Sequence, residues 1–296
     1  MAKANGKIIL LGEHAVVYGV PAIAAGIERG ARAEANIAEQ AELLLAGQRV
    51  TPTDGSDVGR AFGALLSALT LPPVHVRVEL ELPAGAGLGA SAALGVAIAR
   101  AALNAVGEPA PRERVLAAAD AWERVFHGNP SGVDAAAAVY GGCLVFSKRS
   151  GIEPLTLPAE LALVVAIAGP PASTKDMVEG VARLRERRPE LVEKTLAGIE
   201  ALVNNARGCL LAGDHEGLGK LMDLNQMLLS GLFVSTESIE RACETARAAG
   251  ALGAKLTGSG GGGAVIALCR ETEPVRAALS AAGFDAFATR VAGGSV

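Results

Sequence analysis

A glycine-rich stretch at residues 83–93, Pro-Ala-Gly-Ala-Gly-Leu-Gly-Ala-Ser-Ala-Ala, has the residue types that most directly suggest chemistry. It follows an alternating apolar stretch at residues 75–82, which predicts a strand, and precedes an Ala-rich stretch at residues 91–106, which predicts a helix. Glycines let backbone N–H groups approach an anion closely, and a helix N-terminus adds unpaired donors and the positive end of its dipole. The loop therefore predicts a phosphate site.

The loop also resembles a P-loop, a dinucleotide-binding turn and a glycine turn without a ligand. A P-loop is excluded because it needs a lysine directly before its Ser or Thr, and Ala90 precedes Ser91. Residues 85–90, Gly-Ala-Gly-Leu-Gly-Ala, match a dinucleotide fingerprint, but Glu108 lies in a helix-to-loop region and not at the end of a second strand. On the loop alone, a dinucleotide site and a glycine turn without a ligand both stay open.

A second segment could also take part in a reaction, because two carboxylates bracket it. Glu123 falls near the end of a predicted helix, and Asp134 starts the element after the turn His-Gly-Asn-Pro-Ser-Gly-Val at residues 127–133. Carboxylates on either side of a tight turn can face one pocket, where one could hold Mg²⁺ and the other could accept a proton. The plainer alternative is an N-capping Asp134 and a surface Glu123.

Two more segments combine glycine with charged or polar residues. Residues 6–14, Gly-Lys-Ile-Ile-Leu-Leu-Gly-Glu-His, predict a strand opened by Lys7 and a turn that carries Glu13 and His14. Residues 255–263 begin with Lys255 and carry five glycines in their last six positions. Such a low-bulk turn lets the backbone approach a ligand or a neighbouring domain.

Composition narrows the class of protein. The 296 residues are 50% hydrophobic and 3% aromatic, with a net charge of −4, so nothing indicates nucleic-acid binding. The start of the chain does not read as a signal peptide, and the apolar run at residues 161–168 is too short to cross a membrane. Four scattered cysteines without Cys-x-x-Cys spacing argue against zinc or a disulfide framework and fit a cytoplasmic protein.

The elements that must position these residues follow from periodicity and turn signals. We expect strands at residues 8–11, 20–27, 75–82 and 141–146 and helices at 57–70, 91–106 and 111–126. Beyond them we expect a strand at 161–167, mostly helix over 174–250, strands at 254–257, 264–269 and 286–291, and a helix at 273–282. A proline-flanked segment places the domain boundary between residues 157 and 158.

Together the four segments resemble the motifs of the GHMP kinase superfamily, and within it the mevalonate kinase family. Residues 6–19, which include Glu-His-Ala-Val-Val-Tyr-Gly, resemble its first motif, and residues 83–93 resemble its phosphate loop. Residues 127–134, His-Gly-Asn-Pro-Ser-Gly-Val-Asp, are typical of mevalonate kinases, and residues 255–263 resemble the third motif. The resemblance implies an α+β fold with an N-terminal domain like domain 2 of ribosomal protein S5 and a ferredoxin-like C-terminal domain.

The resemblance also implies an ATP- and Mg²⁺-dependent transfer of the γ-phosphoryl group to the 5-hydroxyl of mevalonate. Asp134 would accept the hydroxyl proton, and Lys7 would lie beside it and lower the pKa of the attacking hydroxyl. Ser91 and Glu123 would be the metal ligands. The residues implied for ATP are Pro83, Gly85, Ala86, Gly87, Leu88, Gly89, Ala90 and Ser91, and those for mevalonate are Lys7, Glu13, His14, Asp134 and Thr174.

Three positions depart from the family pattern, and the function keeps two alternatives. Asn5 replaces a usual proline, Ala90 replaces the first of two serines and so removes a hydroxyl near the phosphates, and Ser259 replaces a usual alanine. The alternatives are another GHMP small-molecule kinase and a catalytically silent ligand-binding homologue. The sequence leaves the oligomeric state open, with a homodimer among the possibilities.

Overall fold

A computed structural model describes residues 1–83, 86–128, 130–170 and 172–291. The strands are β1 (Ala2–Leu11), β2 (Ala22–Ile37), β3 (Glu42–Leu45), β4 (Gln48–Val50), β5 (Val74–Leu80), β6 (Cys143–Ser147), β7 (Gly151–Leu155), β8 (Leu161–Gly169), β9 (Gly253–Thr257), β10 (Gly263–Cys269) and β11 (Asp285–Val291). The helices are α1 (Asp57–Leu69), α2 (Ala90–Ala105), α3 (Arg112–His127), α4 (Val133–Tyr140), α5 (Thr174–Arg187), α6 (Pro189–Ala212), α7 (His215–Gly231), α8 (Glu237–Ala248) and α9 (Thr272–Ala281), with a 3₁₀ helix at Ala15–Tyr18.

The chain divides into two compact units that interleave in sequence. The first comprises Met1–Lys7, Arg29–Ala84 and Gly89–Gly141, and the second comprises Ile8–Glu28, Gly85–Leu88 and Gly142–Val296. The long strands β1 and β2 contribute to both units, because each runs across a division point. The boundary expected between residues 157 and 158 stays a prediction.

The first unit contains the four helices α1 to α4 and a small sheet, on which α2 packs. In that sheet β5 pairs antiparallel with residues 31–37 of β2 and parallel with β3, which in turn pairs antiparallel with β4. Helix α1 begins where the Ser56 hydroxyl accepts a hydrogen bond from the Gly59 amide, and it buries Phe62, Leu65 and Leu69. Helix α2, rich in buried alanine, packs on β5 and α3.

Trp122 of α3 fixes how α2 and α3 meet. Its side chain is fully buried, and a Cβ added at Gly95 of α2 would lie 3.0 Å from its ring. A side chain at position 95 would meet the ring at a tighter distance than most Cβ contacts, so glycine favours this close approach of α2 and the ring. This contact sets the spacing of the two helices that carry Ser91 and Glu123.

The second unit contains an antiparallel sheet in the order β11-β8-β10-β9. Strand β8, helices α5–α8, the β9–β10 hairpin, helix α9 and strand β11 follow one another along the chain, so the unit is an elaborated β-α-β-β-α-β motif. The expected ferredoxin-like arrangement is confirmed. Residues 22–25 of β2 pair with β6, which forms a hairpin with β7.

Several strands differ from expectation. The expectation that Lys7 opens the first strand is wrong, because β1 starts at Ala2 and Lys7 lies inside it. The small residues Ala2 and Ala4 are buried and extend the inward face of the strand. β2 continues to Ile37. Strands β3, β4 and β7 were not predicted, because they are short and contain partly exposed or charged residues. Across the described ranges, no helix combines the length and apolarity needed to cross a bilayer.

Candidate active site

Lys7 and Asp134, far apart in the sequence, form an ion pair in the first unit. Nζ of Lys7 lies 3.1 Å from Oδ1 of Asp134, and the side chains are 5% and 36% exposed. Gly132, at φ +88°, precedes α4 and places Asp134 in the first turn of that helix. The buried lysine therefore holds an aspartate whose carboxylate remains accessible, which is an arrangement suited to a proton acceptor.

Ser91 and Glu123 form a second polar pair in the same unit. The Ser91 hydroxyl, in the first turn of α2, donates a short hydrogen bond to Oε1 of Glu123. The residue before α2, Gly89, offers no side-chain cap to the first-turn N–H groups of the helix. An anion placed at this end of α2 would meet those donors and the positive end of the helix dipole.

Glu123 is a buried carboxylate with a perturbed pKa, not the surface residue that the plainer interpretation supposed. Burial raises the pKa of Glu123 to about 7, against an opposing hydrogen bond from Ser91; the charges of Asp134 and Lys7 contribute less, in opposite directions. Its Oε2 lies 3.7 Å from Nε2 of His127. Such a carboxylate is stabilised in its ionised form when a cation approaches.

The donor set fits Mg²⁺ as a partial site. Among the ranges that the structure describes, no group of three or more His, Cys, Asp or Glu side chains is arranged to hold a metal ion. Magnesium in phosphoryl-transfer enzymes commonly uses one or two protein oxygens together with phosphate oxygens and water. Ser91 and Glu123 supply such a pair of oxygens.

The glycine loop closes tightly on its neighbours. A Cβ at Gly89, whose φ is +71°, would lie 2.5 Å from Cγ of Lys7. Within the second unit, a Cβ at Gly87 would lie 3.2 Å from the Thr257 carbonyl oxygen, and one at Gly258 would lie 3.3 Å from that of Gly87. The two glycine motifs thus meet backbone to backbone. Gly85, expected in the ATP loop, lies outside the described residues, as does Asn129 of the carboxylate turn.

Glu13 belongs to a buried network that sequence reasoning missed. Nζ of Lys255 forms a short ion pair with Oε1 of Glu13, both side chains being fully buried, and Nδ2 of Asn225 donates to Oε2 of Glu13 at 3.2 Å. The Lys255 ammonium also donates to the carbonyl oxygens of Ile9 and Leu256. The sequence carried one signal for this network, because Lys255 is the one charged residue of a buried five-residue strand and a buried charge needs a partner.

His14 and Thr174, both expected at the substrate, converge on Ser259. Nε2 of His14 lies 2.9 Å from the Ser259 carbonyl oxygen, and Oγ1 of Thr174 lies 3.4 Å from the Ser259 hydroxyl. Burial lowers the pKa of His14, so its ring is neutral and donates Nε2–H to the carbonyl. His14 also has φ +59°, in the left-handed region, which makes it a strained turn residue.

Comparison with known proteins identifies the relatives of this chain. The family profile described as GHMP kinases N terminal domain matches residues 56–142, and that described as GHMP kinases C terminal matches residues 206–290. The chain is 36% identical to a mevalonate kinase of Thermococcus gammatolerans, over 98% of this chain and 96% of the relative. It is likewise 36% identical to a mevalonate kinase of Methanothermobacter thermautotrophicus, over 90% and 89% of the two chains.

A solved structure extends the likeness to three dimensions. The crystal structure of L. major mevalonate kinase in complex with R-mevalonate matches with a TM-score of 0.88 and 30% identity. The match covers 99% of this chain and 96% of that one. Both compact units therefore have counterparts in the solved protein.

Proposed function

The chain belongs to the GHMP kinase family. On the basis of its mevalonate kinase relatives we propose that it is a mevalonate kinase, which transfers the γ-phosphoryl group of ATP to the 5-hydroxyl of mevalonate. The observation that carries the chemistry is the Lys7–Asp134 ion pair, which joins a buried cation to an accessible carboxylate. Phosphoryl transfer depends mainly on positioning and on charge stabilisation, and this pair supplies both at the nucleophile.

Asp134 is the residue that accepts the proton of the mevalonate hydroxyl. Its carboxylate is 36% exposed, so a hydroxyl can reach it, while Lys7 holds Oδ1 at 3.1 Å and fixes the orientation of the group. The Lys7 ammonium favours negative charge on the attacking oxygen and on the transferred phosphoryl group. Lys7 and Asp134 therefore serve both catalysis and substrate binding.

Ser91 and Glu123 are the residues that would hold Mg²⁺. When bound, Mg²⁺ neutralises the charge of the ATP phosphate oxygens and so supports phosphoryl transfer. Support comes from the buried Glu123 carboxylate, whose pKa of about 7 falls when positive charge is placed beside it. The N-terminus of α2 and the loop formed by Pro83 and residues 85–90 would hold the phosphates themselves.

Glu13, His14 and Thr174, all in the second unit, are further residues that we propose to bind mevalonate. His14 and Thr174 share contacts with Ser259, which joins the first motif and α5 to the glycine-rich turn after β9. Glu13 is fully buried and paired with Lys255, so it would serve mevalonate binding by fixing the turn that carries His14.

We place the reaction in the cytoplasm, in keeping with the free cysteines Cys143, Cys209, Cys243 and Cys269. Sedimentation velocity decides between monomer and homodimer.

A substrate panel tests this proposal. Purified protein is supplied with Mg-ATP and, in turn, mevalonate, phosphomevalonate, galactose and homoserine, and ADP release is followed by a coupled assay. We expect ADP release that depends on mevalonate alone. Turnover of a different acceptor would favour another small-molecule kinase of the family. Binding of mevalonate and ATP without turnover would favour the silent homologue.

A further inference from the structure

Trp122 makes a polar contact with the proposed metal-binding serine. It is the one tryptophan of the sequence, it precedes Glu123 on α3, and its side chain is 1% exposed. Its indole Nε1 donates a hydrogen bond to Oγ of Ser91 at 3.2 Å. A buried indole N–H needs a partner, and here the partner is a residue of the phosphate loop rather than a backbone carbonyl.

The contacts of the Ser91 hydroxyl leave one lone pair of its oxygen unused. A serine hydroxyl has one hydrogen and two lone pairs. The hydrogen is directed to Oε1 of Glu123, and one lone pair accepts the indole N–H of Trp122. One lone pair therefore remains, and the two hydrogen bonds that Ser91 of α2 makes with adjacent residues of α3 fix its direction. Without the indole N–H, the hydroxyl keeps Glu123 as a partner but can rotate about that single bond.

Packing prevents the indole from moving away from Ser91. A Cβ added at Gly95 of α2 would lie 3.0 Å from the indole ring, so α2 lies directly against one side of the indole. The Phe126 ring, one turn further along α3, lies with its centroid 5.6 Å away at an interplanar angle of 55°. The indole is thus packed between the backbone side of α2 at Gly95 and the ring of Phe126, and it is itself fully buried.

We propose that Trp122 is a positioning residue of the phosphoryl-transfer site, whose indole N–H orients the Ser91 hydroxyl so that its free lone pair is presented to the divalent cation that accompanies ATP. This inference rests on the proposed function, because Ser91 matters as a metal ligand only in a nucleotide-dependent enzyme. Trp122 does not touch the substrate; it acts through Ser91. The indole therefore sets cation affinity and turnover while leaving mevalonate binding unchanged.

The test is a double-mutant cycle between Trp122→Phe and Ser91→Ala. Binding of Mn²⁺ in the presence of a non-hydrolysable ATP analogue is measured by electron paramagnetic resonance, and kcat and KM are measured with Mg-ATP and mevalonate. With Ser91 intact, Trp122→Phe should weaken Mn²⁺ binding and lower kcat by about 3- to 10-fold, the range that one hydrogen bond supplies. KM for mevalonate should stay within about 2-fold.

The second half of the cycle separates positioning from packing. In the Ser91→Ala background, Trp122→Phe should cost less than about 2-fold in Mn²⁺ affinity, since the group that it orients is gone. Equal losses in both backgrounds, or no loss with Ser91 intact, would overturn the proposal. Phe126→Leu is the matched control, because it disturbs the packing of the Trp122 ring without removing a polar contact; it should leave Mn²⁺ affinity unchanged.

Two measurements keep the test decisive if Trp122→Phe folds poorly. Because the sequence has one tryptophan, incorporation of 3-benzothienylalanine in place of tryptophan alters this side chain alone and replaces N–H by sulfur at nearly constant shape. It should reproduce the loss of Mn²⁺ affinity, and wild-type affinity would contradict the proposal. In the metal-free protein, the single indole ¹⁵N–¹H resonance should move in Ser91→Ala but not in Phe62→Leu, a core change without polar contact.

Failure of the proposed function would look different. A wild-type protein that binds Mn²⁺ with the nucleotide but does not phosphorylate mevalonate would refute the assigned reaction. The coupling between Trp122 and Ser91 would still be measurable in that protein through Mn²⁺ binding and the indole resonance. These measurements therefore distinguish a failure of the Trp122 proposal from a failure of the proposed reaction.

Discussion

Lys7 and Asp134 form an ion pair of unequal burial, with Nζ and Oδ1 3.1 Å apart, the lysine side chain 5% exposed and the aspartate 36% exposed. A buried ammonium without a partner is costly, so the Asp134 carboxylate stabilises the charged side chain of Lys7. Because one face of that carboxylate stays accessible, the same contact that stabilises Lys7 leaves Asp134 able to meet a substrate hydroxyl. Structural and catalytic demands coincide at this pair.

Asp134→Asn should abolish most of the turnover while nucleotide binding persists. The amide keeps the shape of the side chain but is a poor proton acceptor, and loss of a general base costs about 10²- to 10⁴-fold in kcat. Affinity for an ATP analogue, measured by calorimetry, should stay within about 3-fold of wild type. Asp120→Asn, on an exposed carboxylate that pairs with Arg124, is the matched control and should keep full activity. Retained turnover in Asp134→Asn would refute the base assignment.

Gly89→Ala should lower kcat by displacing Lys7. The added methyl group would lie 2.5 Å from Cγ of Lys7, too close for any unstrained arrangement, and φ +71° is unfavourable for alanine. We expect a loss of about 10-fold or more in kcat, since small displacements of catalytic groups cost about that much or more. Gly47→Ala is the control: its φ is +79°, with nothing within 4 Å of the added Cβ. Equal kinetics for the two variants would contradict this expectation.

Lys255→Met should be among the most destabilising single substitutions in the second unit. It leaves the Glu13 carboxylate buried without its cation, and removal of one member of a buried pair typically costs about 3–5 kcal/mol in the free energy of unfolding. The double variant Lys255→Met/Glu13→Gln should recover part of that loss, as urea unfolding would show. Lys194→Met, at the exposed Glu190 pair, should change stability little. A double variant less stable than Lys255→Met would contradict the buried-charge explanation.

His14 should make the protein less stable below neutral pH. Burial lowers the pKa of His14 from its ordinary value of 6.5, so the unfolded chain binds a proton more readily than the folded one. Its contribution to stability is therefore complete above pH 6.5 and is lost as pH falls from there towards the pKa in the folded state. Urea unfolding at about pH 7.5 and about pH 5.5 should show a larger difference for wild type than for His14→Gln. His215→Gln is the control, and equal pH dependence of wild type and His14→Gln would exclude this effect.

The sequence predicted the local elements around the site better than the packing between them. The turn before Asp134 and the start of α2 at Ser91 have local signals in glycine and in helix-forming residues, and the structure places both near their expected bounds. The close contact of α2 with α3 depends on Gly95 facing Trp122, a pairing that has no local pattern. The role of Trp122 at Ser91 was therefore out of reach of sequence reasoning.

Burial was the other quantity that local patterns did not predict. Glu13 reads as a polar turn residue, yet contact with β9 encloses it together with Lys255 and Asn225. Strand β1 reaches β9 through the Ile9 amide, which donates to the Thr257 hydroxyl at 2.8 Å across a long sequence separation. Such non-local packing decides which charges are buried, and a single sequence without a structure does not specify it.

The most direct test of the central claim is ³¹P NMR of the reaction of the purified protein with Mg-ATP and mevalonate. We expect one new phosphomonoester signal, coupled to the two protons of the primary carbon that bears the 5-hydroxyl, to appear in equal amount with ADP. The signal should be absent when Asp134→Ala replaces the wild type. Formation of ADP with orthophosphate alone, phosphorylation of a different hydroxyl, or unconsumed ATP would contradict the assignment.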